Sequence, residues 1–241
     1  LTGSMNHSKP VVIVTQSRMG SAGSGDFTIE HAPVIRTELL PFNEGMLDGE
    51  YDWLVLTSPN SVEHFAPFLG RVKFNRLASI GKRTSEAMEE HGMHVDFEPS
   101  GYSQEKFMEE FAVNKGERIL YPVSANARPL MYEYLSDAGA EVTRIPLYHP
   151  VPDGESLAKI ERLLYEGAYA VTFSSPSGVE AFTGRLDKGR LENVTVAAIG
   201  HVTHDALKKR GIDSIQPEKE TLQDMFNMLE KRVNQRCNDE F

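Results

Sequence analysis

Hydroxyl side chains cluster at two junctions of the same design. Thr57-Ser58-Pro59-Asn60-Ser61 and Ser174-Ser175-Pro176-Ser177-Gly178 each follow a short apolar run and precede an amphipathic stretch. The chemistry on offer is anion binding. The first amides of a helix have no partner inside it, the helix dipole favours negative charge there, and hydroxyls add donors without bulk. Ser, Thr and Asn are also the ordinary N-caps of any helix, so one such junction alone says little. Two further junctions, Gly81-Lys82-Arg83-Thr84 and Gly200-His201-Val202-Thr203, combine a glycine that admits close approach with a threonine near the first helical turn. A fifth, at 121–128, places Ser124 and Arg128 at the start of a helix, where a guanidinium suits a two-point grip on a carboxylate. A solvated surface arginine is the plainer alternative. Tyr148 lies in an extended segment marked by prolines. A phenol with its ordinary pKa near ~10 is protonated at neutral pH and can serve as a general acid; a packing role is the equal alternative.

Other chemistries find little support. Gly20-Ser-Ala-Gly-Ser-Gly25 has neither the dinucleotide spacing nor the Lys-Ser or Lys-Thr pair of a P-loop, and reads as a mobile loop. His201 and His204 are a possible metal pair, but no third ligand accompanies them in the sequence. The expectation is therefore no metal and no cofactor. The single cysteine, Cys237, rules out an intramolecular disulfide framework. A net charge of -10, from 25 Lys and Arg against 35 Asp and Glu, disfavours nucleic-acid coating. No run approaches the ~20 apolar residues of a membrane helix. The expected address is the cytosol and the expected state a monomer. The opening Leu-Thr-Gly-Ser reads as a cloning remnant ahead of Met5.

The elements that must carry these junctions alternate. Apolar runs at 11–15, 53–57, 118–121, 170–173 and 194–199 are short and lack strict alternation, as suits strands covered on both faces. Amphipathic stretches at 61–69, 83–91, 127–138, 178–186, 203–210 and 221–233 lie between them. This rhythm predicts a parallel α/β sheet. With 40% hydrophobic and 25% charged residues in 241, a substantial core is available.

The chain also repeats itself. DWLVLTSPNSVEHF at 52–65 matches YAVTFSSPSGVEAF at 169–182, and LASIGKRTSEAMEEHGM at 77–93 matches VAAIGHVTHDALKKRGI at 196–212, in the same order. Proline-marked segments at 33–41 and 142–150 stand outside the repeat. Run side by side, they would carry the chain from one lobe to the other and back. The predicted fold is two similar parallel-sheet α/β lobes joined by a two-stranded extended linker. One domain is discontinuous, 10–32 plus 151–236, and the other is 42–141. A simple tandem broken near residue 115 is the rival.

From Trp53 to Met228 the sequence resembles the uroporphyrinogen-III synthase family. The carriers are LVLTSPNSVEHF, ASIG followed by KRT, ILYPVSANARPLMYEYLSDAGAEV, IPLYHPV, VTFSSPSGVEAF and AAIGHVTHDALKKRG. After Thr15, where the family has a helix, this chain has the glycine-rich loop. The resemblance implies a lyase of tetrapyrrole biosynthesis. It would cyclise hydroxymethylbilane without a cofactor, invert the last ring, and yield uroporphyrinogen III and water in a cleft between two lobes. It implies substrate contacts from Thr57, Ser58, Thr84, Ser124, Ser175 and Thr203, with Asn60, Arg128 and Ser174 beside them, and a role for Tyr148 in departure of the hydroxyl. A transient contact with the preceding pathway enzyme would fit. A non-catalytic two-lobe module for a small anionic ligand is the alternative.

Overall fold

The structure is a computed structural model that describes residues 8–239; residues 1–4 and Met5 lie outside it. The strands in chain order are β1 (Val11–Val14), β2 (Thr28–His31), β3 (Ile35–Leu39), β4 (Glu50–Leu56), β5 (Lys73–Ser79), β6 (Arg118–Ser124), β7 (Glu141–Pro152), β8 (Ala170–Phe173) and β9 (Thr195–Ala198). The α-helices are α1 (Pro59–Phe65), α2 (Lys82–Glu90), α3 (Gln104–Glu110), α4 (Leu130–Asp137), α5 (Gly154–Tyr165), α6 (Pro176–Thr183), α7 (His201–Lys209) and α8 (Leu222–Asp239). Contacts divide the chain into two units, Leu1–Arg36 with Val151–Phe241, and Thr37–Pro150.

The first unit holds a four-stranded sheet in the order β2-β1-β8-β9, with every neighbouring pair parallel. Successive side chains of a strand point to opposite faces. Ile13 accordingly enters one core with Val171, Phe173, Leu157 and Phe182, while Val12 and Val14 enter another with Phe27, Met225 and Phe226. Both faces are covered, which accounts for the unbroken apolar runs in the sequence. Between β1 and β2 the chain forms no helix. The glycine-rich segment is a loop pinned to α8, where the Gln223 side chain bonds the Gly23 N–H at 3.2 Å and the Gly23 carbonyl at 3.1 Å.

The second unit contains the sheet β3-β7-β6-β4-β5, in which β7/β6, β6/β4 and β4/β5 are parallel. In β4, Leu54 and Leu56 face one core and Trp53 and Val55 the other. The segments at 37–41 and 142–150 fall within this unit, and β7 pairs with β6 from Glu141 to Tyr148. Leu40 N–H donates to the Leu147 carbonyl at 2.8 Å. The repeat is visible in both sheets: Ala78 and Ala197, at corresponding positions, each form an added parallel bridge, to Phe97 and Ile215.

Helix boundaries follow local chemistry. Ser58 and Ser175 are N-caps in extended conformation, accepting from the amides of Ser61 and Gly178, and proline occupies the first turn after each. α4 starts at Leu130, not at 127 as the amphipathic pattern suggests, because Pro129 holds Arg128 out of the helical region. Ser124 therefore ends β6 and does not begin a helix. α3 and α5 were not anticipated. α5 carries a readable signal: Asp153 caps it, and Leu157, Ile160, Leu163 and Leu164 lie on one buried face. Among the described residues, no helix is long and apolar enough to cross a membrane.

Candidate active site

Parallel pairing brings the carboxyl ends of the strands in each sheet to one edge, where open α/β sheets bind ligands. In the second unit that edge carries Thr57 after β4, Gly81 after β5, Ser124 at the end of β6 and Tyr148 in β7. Ser124 and Tyr148 are register partners across a bulge between Val123 and Ser124. The bulge turns the end of the strand, and the Ala125 amide then bonds the Tyr148 carbonyl at 2.8 Å.

Tyr148 is almost wholly buried, and its hydroxyl lies 2.9 Å from Ser58 Oγ. Ser58 Oγ also accepts the Ser61 N–H at 3.0 Å and lies 3.0 Å from Ser61 Oγ. On one face the Tyr148 ring is stacked by His64, with centroids 5.1 Å apart and planes at 21°. His64 Nε2 is held by Thr37 Oγ1 at 2.8 Å. A second phenol, Tyr121, is fully buried, and its hydroxyl has no hydrogen bond of good geometry. Burial pushes its pKa up; the nearby Thr57 hydroxyl and the Arg144 charge only partly oppose this.

A depression of about 520 Å³ joins two of the sequence junctions within this unit: Thr57 and Ser58 on one side, Gly81 to Thr84 on the other, with Tyr102 among its lining residues. Gly81 packs closely there: a Cβ would stand 3.1 Å from Tyr102 Cα and 3.3 Å from the Gly101 carbonyl oxygen, a tight fit that the neighbouring backbone would have to ease. As N-cap of α2, Gly81 offers no side-chain oxygen to the first amides. Lys82 and Arg83 add positive charge, and Thr84 is buried. Asn60 is half-buried in the first turn of α1. Arg128 is turned elsewhere. It is exposed and pairs with Gln104 at 3.1 Å and Glu105 at 3.3 Å, the N-terminal turn of α3.

The first unit builds a similar edge from β1, β8 and β9. Ser174 Oγ donates to Gln16 Oε1, and Ser175 caps α6 at 3.1 Å from the Gly178 amide. Thr203 is buried in the first turn of α7. The N-terminus of α7 already holds a carboxylate. Glu220 accepts the His201 N–H at 3.1 Å and contacts His201 Nδ1 at 2.7 Å. These two bonds hold its carboxyl below the usual range. Gly200 makes room for it, since a Cβ there would lie 2.3 Å from the Glu220 carboxylate. His204 turns to Ser214 at 2.7 Å, so the two histidines have separate partners. No cluster of three or more His, Cys, Asp or Glu able to hold a metal occurs among the described residues.

Sequence reasoning missed His64, Thr37, Gln16 and Glu220. One signal was available for His64: the repeat places Ala181 at its position, so the helix itself does not demand a ring there.

The fold and these edges define a mixed α/β protein with parallel sheets, whose strand ends present hydroxyls and helix amides suited to carboxylates. The model of the family described as uroporphyrinogen-III synthase HemD matches residues 24–227, and the chain belongs to this family. A putative uroporphyrinogen-III synthase of Methanothermobacter thermautotrophicus is 33% identical over 196 residues, 75% of this chain and 78% of that protein. The porphyrin biosynthesis protein HemD of Ruminiclostridium josui is 28% identical over 212 residues. That match takes in 82% of this chain and only 42% of the relative's length. Among solved structures, the uroporphyrinogen-III synthetase of Helicobacter pylori gives a TM-score of 0.61 at 14% identity, with 92% of this chain and 99% of that chain covered. A mutant uroporphyrinogen III synthase of Thermus thermophilus gives 0.51 at 21% identity, with 94% and 99% covered. These two share the fold. The family and the relatives' names indicate uroporphyrinogen-III synthase, an enzyme of the lyase class.

Proposed function

We propose that this chain closes hydroxymethylbilane to uroporphyrinogen III, with Tyr148 as proton donor and the hydroxyl-lined strand ends as carboxylate holders. The supporting observation is the hydrogen-bond chain from Ser61 to Ser58 to Tyr148. Ser58 Oγ accepts the Ser61 amide, and with Ser61 Oγ–H as a second donor its own proton goes to the Tyr148 oxygen. The phenol proton is then free to be given to substrate. A hydroxyl donor at the phenol oxygen also stabilises the negative charge that develops as the proton leaves.

In the proposed reaction Tyr148 protonates the hydroxyl of the hydroxymethyl group. The carbon–oxygen bond breaks, water departs, and the pyrrole nitrogen's lone pair stabilises the resulting electrophile. The substituted carbon of the terminal ring attacks it. The spiro intermediate fragments and recloses with that ring inverted, and the ring proton lost at the end restores the phenol. Holding the inverted route to ~99% of product requires about 2.7 kcal/mol of transition-state difference. Orientation of a bound, flexible chain supplies energies of that size.

An acidic protein holding an octa-anion is reconciled by short-range donors, since charge-assisted hydrogen bonds contribute about 1.5–3 kcal/mol each. Thr57, Ser58, Asn60, Thr84 and Ser124 are the proposed donors of the second unit, and Ser174, Ser175 and Thr203 those of the first. Arg128 takes part only by leaving Glu105. In this reading the domains are 10–32 plus 151–236 and 42–141, and segments 33–41 and 142–150 form the two-stranded linker. The test is isomer analysis of the tetrapyrrole formed from enzymatically generated hydroxymethylbilane. Isomer III only when the protein is present supports the reading; isomer I alone in both arms reduces the protein to a binding module.

A further inference from the structure

We infer that His64 is a positioning residue for Tyr148, acting by stacking; the inference rests on the catalytic reading of Tyr148 given above. A phenol that donates a proton must keep its ring plane and its oxygen fixed relative to the departing group, and a misplacement of about 1 Å costs on the order of a hundredfold in rate. The Tyr148 oxygen is held by Ser58 at 2.9 Å, and the ring lies in the buried core of the unit. The second restraint is the imidazole of His64, stacked at 5.1 Å and 21°. The imidazole is itself clamped from β3, through Thr37 Oγ1 at 2.8 Å from Nε2. Ser58 and His64 stand at opposite ends of α1, so one short helix fixes both the oxygen and the face of the same phenol.

The repeat separates this role from a need of the helix. α6 has the same cap, the same proline and the same Val-Glu pair, and carries Ala181 where α1 carries His64. A helix of this design therefore forms without a ring at that position. The ring appears only in the copy that faces Tyr148.

Two substitutions divide the functions of His64. His64→Phe keeps a ring for stacking and loses the bond to Thr37; His64→Gln keeps a polar group for Thr37 and loses the ring. The expected result is a fall in kcat of about ten- to a hundredfold for His64→Ala and His64→Gln, with KM changed less than about twofold, and recovery of most of kcat in His64→Phe. The structural readout uses ring-labelled [13C]tyrosine, with the Tyr148 signals assigned by their loss in Tyr148→Phe. Ring-current displacement of these signals should persist in His64→Phe and vanish in His64→Ala and His64→Gln. Unaltered kcat in folded His64→Ala, unaltered Tyr148 signals in it, or full activity in His64→Gln would each overturn the inference. If the wild-type protein itself forms no isomer III, the functional reading has failed, whatever the His64 variants do.

Discussion

Ser61 donates its amide to the oxygen of Ser58 at 3.0 Å and holds its own hydroxyl oxygen 3.0 Å from the same atom. Ser61 is fully buried, whereas Ser58 is half-buried and lines the depression. The same oxygen lies 2.9 Å from the Tyr148 hydroxyl, and in the proposed reaction it donates its proton there.

Ser58→Ala removes both the cap and the donor. A lost serine cap costs about 1 kcal/mol, so the melting temperature should fall by several degrees. Turnover should fall about tenfold. Ser61→Ala should leave the cap in place and reduce turnover by a smaller factor. Equal turnover in wild type and Ser58→Ala, measured with saturating bilane, would remove Ser58 from the mechanism.

Thr84 and Thr203 are buried in the first turns of α2 and α7. At α2 backbone amides carry most of the proposed carboxylate binding, and at α7 Glu220 already takes the first amide, so Thr84→Ala and Thr203→Ala should each raise KM by less than about tenfold, the size of one neutral hydrogen bond. Complete loss of activity in a still-folded Thr84→Ala protein would show that the hydroxyl itself is the donor.

Tyr121 buries a hydroxyl without a good partner, and an unsatisfied buried polar group costs about 1–3 kcal/mol. Tyr121→Phe keeps the ring in its core and removes that cost. Thermal unfolding should show a melting temperature equal to or above that of wild type. A fall of several degrees would reveal a hydrogen bond to Thr57 stronger than the geometry indicates.

Glu220 offers a pH test. Its carboxyl is held below its ordinary value of 4.5 by the side chain and the amide of His201. A carboxyl lowered on folding stabilises the folded state above its unfolded value, and that contribution disappears as pH falls through the folded value. NMR titration should place Glu220 below 4.5, and His201→Ala should move it upward. No movement in His201→Ala would show that the amide alone sets the value.

Much of this was legible in the sequence. Strands covered on both faces show as unbroken β-branched runs, and the duplicated Ser-Pro junctions mark strand ends followed by capped helices. What could not be read was long-range pairing. Nothing local tells that Tyr148 meets Ser58, that His64 lies on the phenol ring, or that Glu220 reaches the first amide of α7; these depend on sheet order and on side chains far apart in the chain. At Arg128 only the helix start was misread: Pro129 moves it to Leu130, and the exposed guanidinium pairs with Glu105, in keeping with the surface alternative that the sequence left open. α5, which begins after Pro152 with Asp153 as its cap, was readable from its apolar spacing and was missed.

The most direct test of the account is the turnover of Tyr148→Phe with saturating hydroxymethylbilane, beside wild type. Loss of a positioned general acid typically costs about 10²–10⁴-fold in rate, and the predicted result is a kcat reduced by that order with KM nearly unchanged. A Tyr148→Phe protein that forms uroporphyrinogen III at the wild-type rate would contradict the account, because the proton would then come from elsewhere.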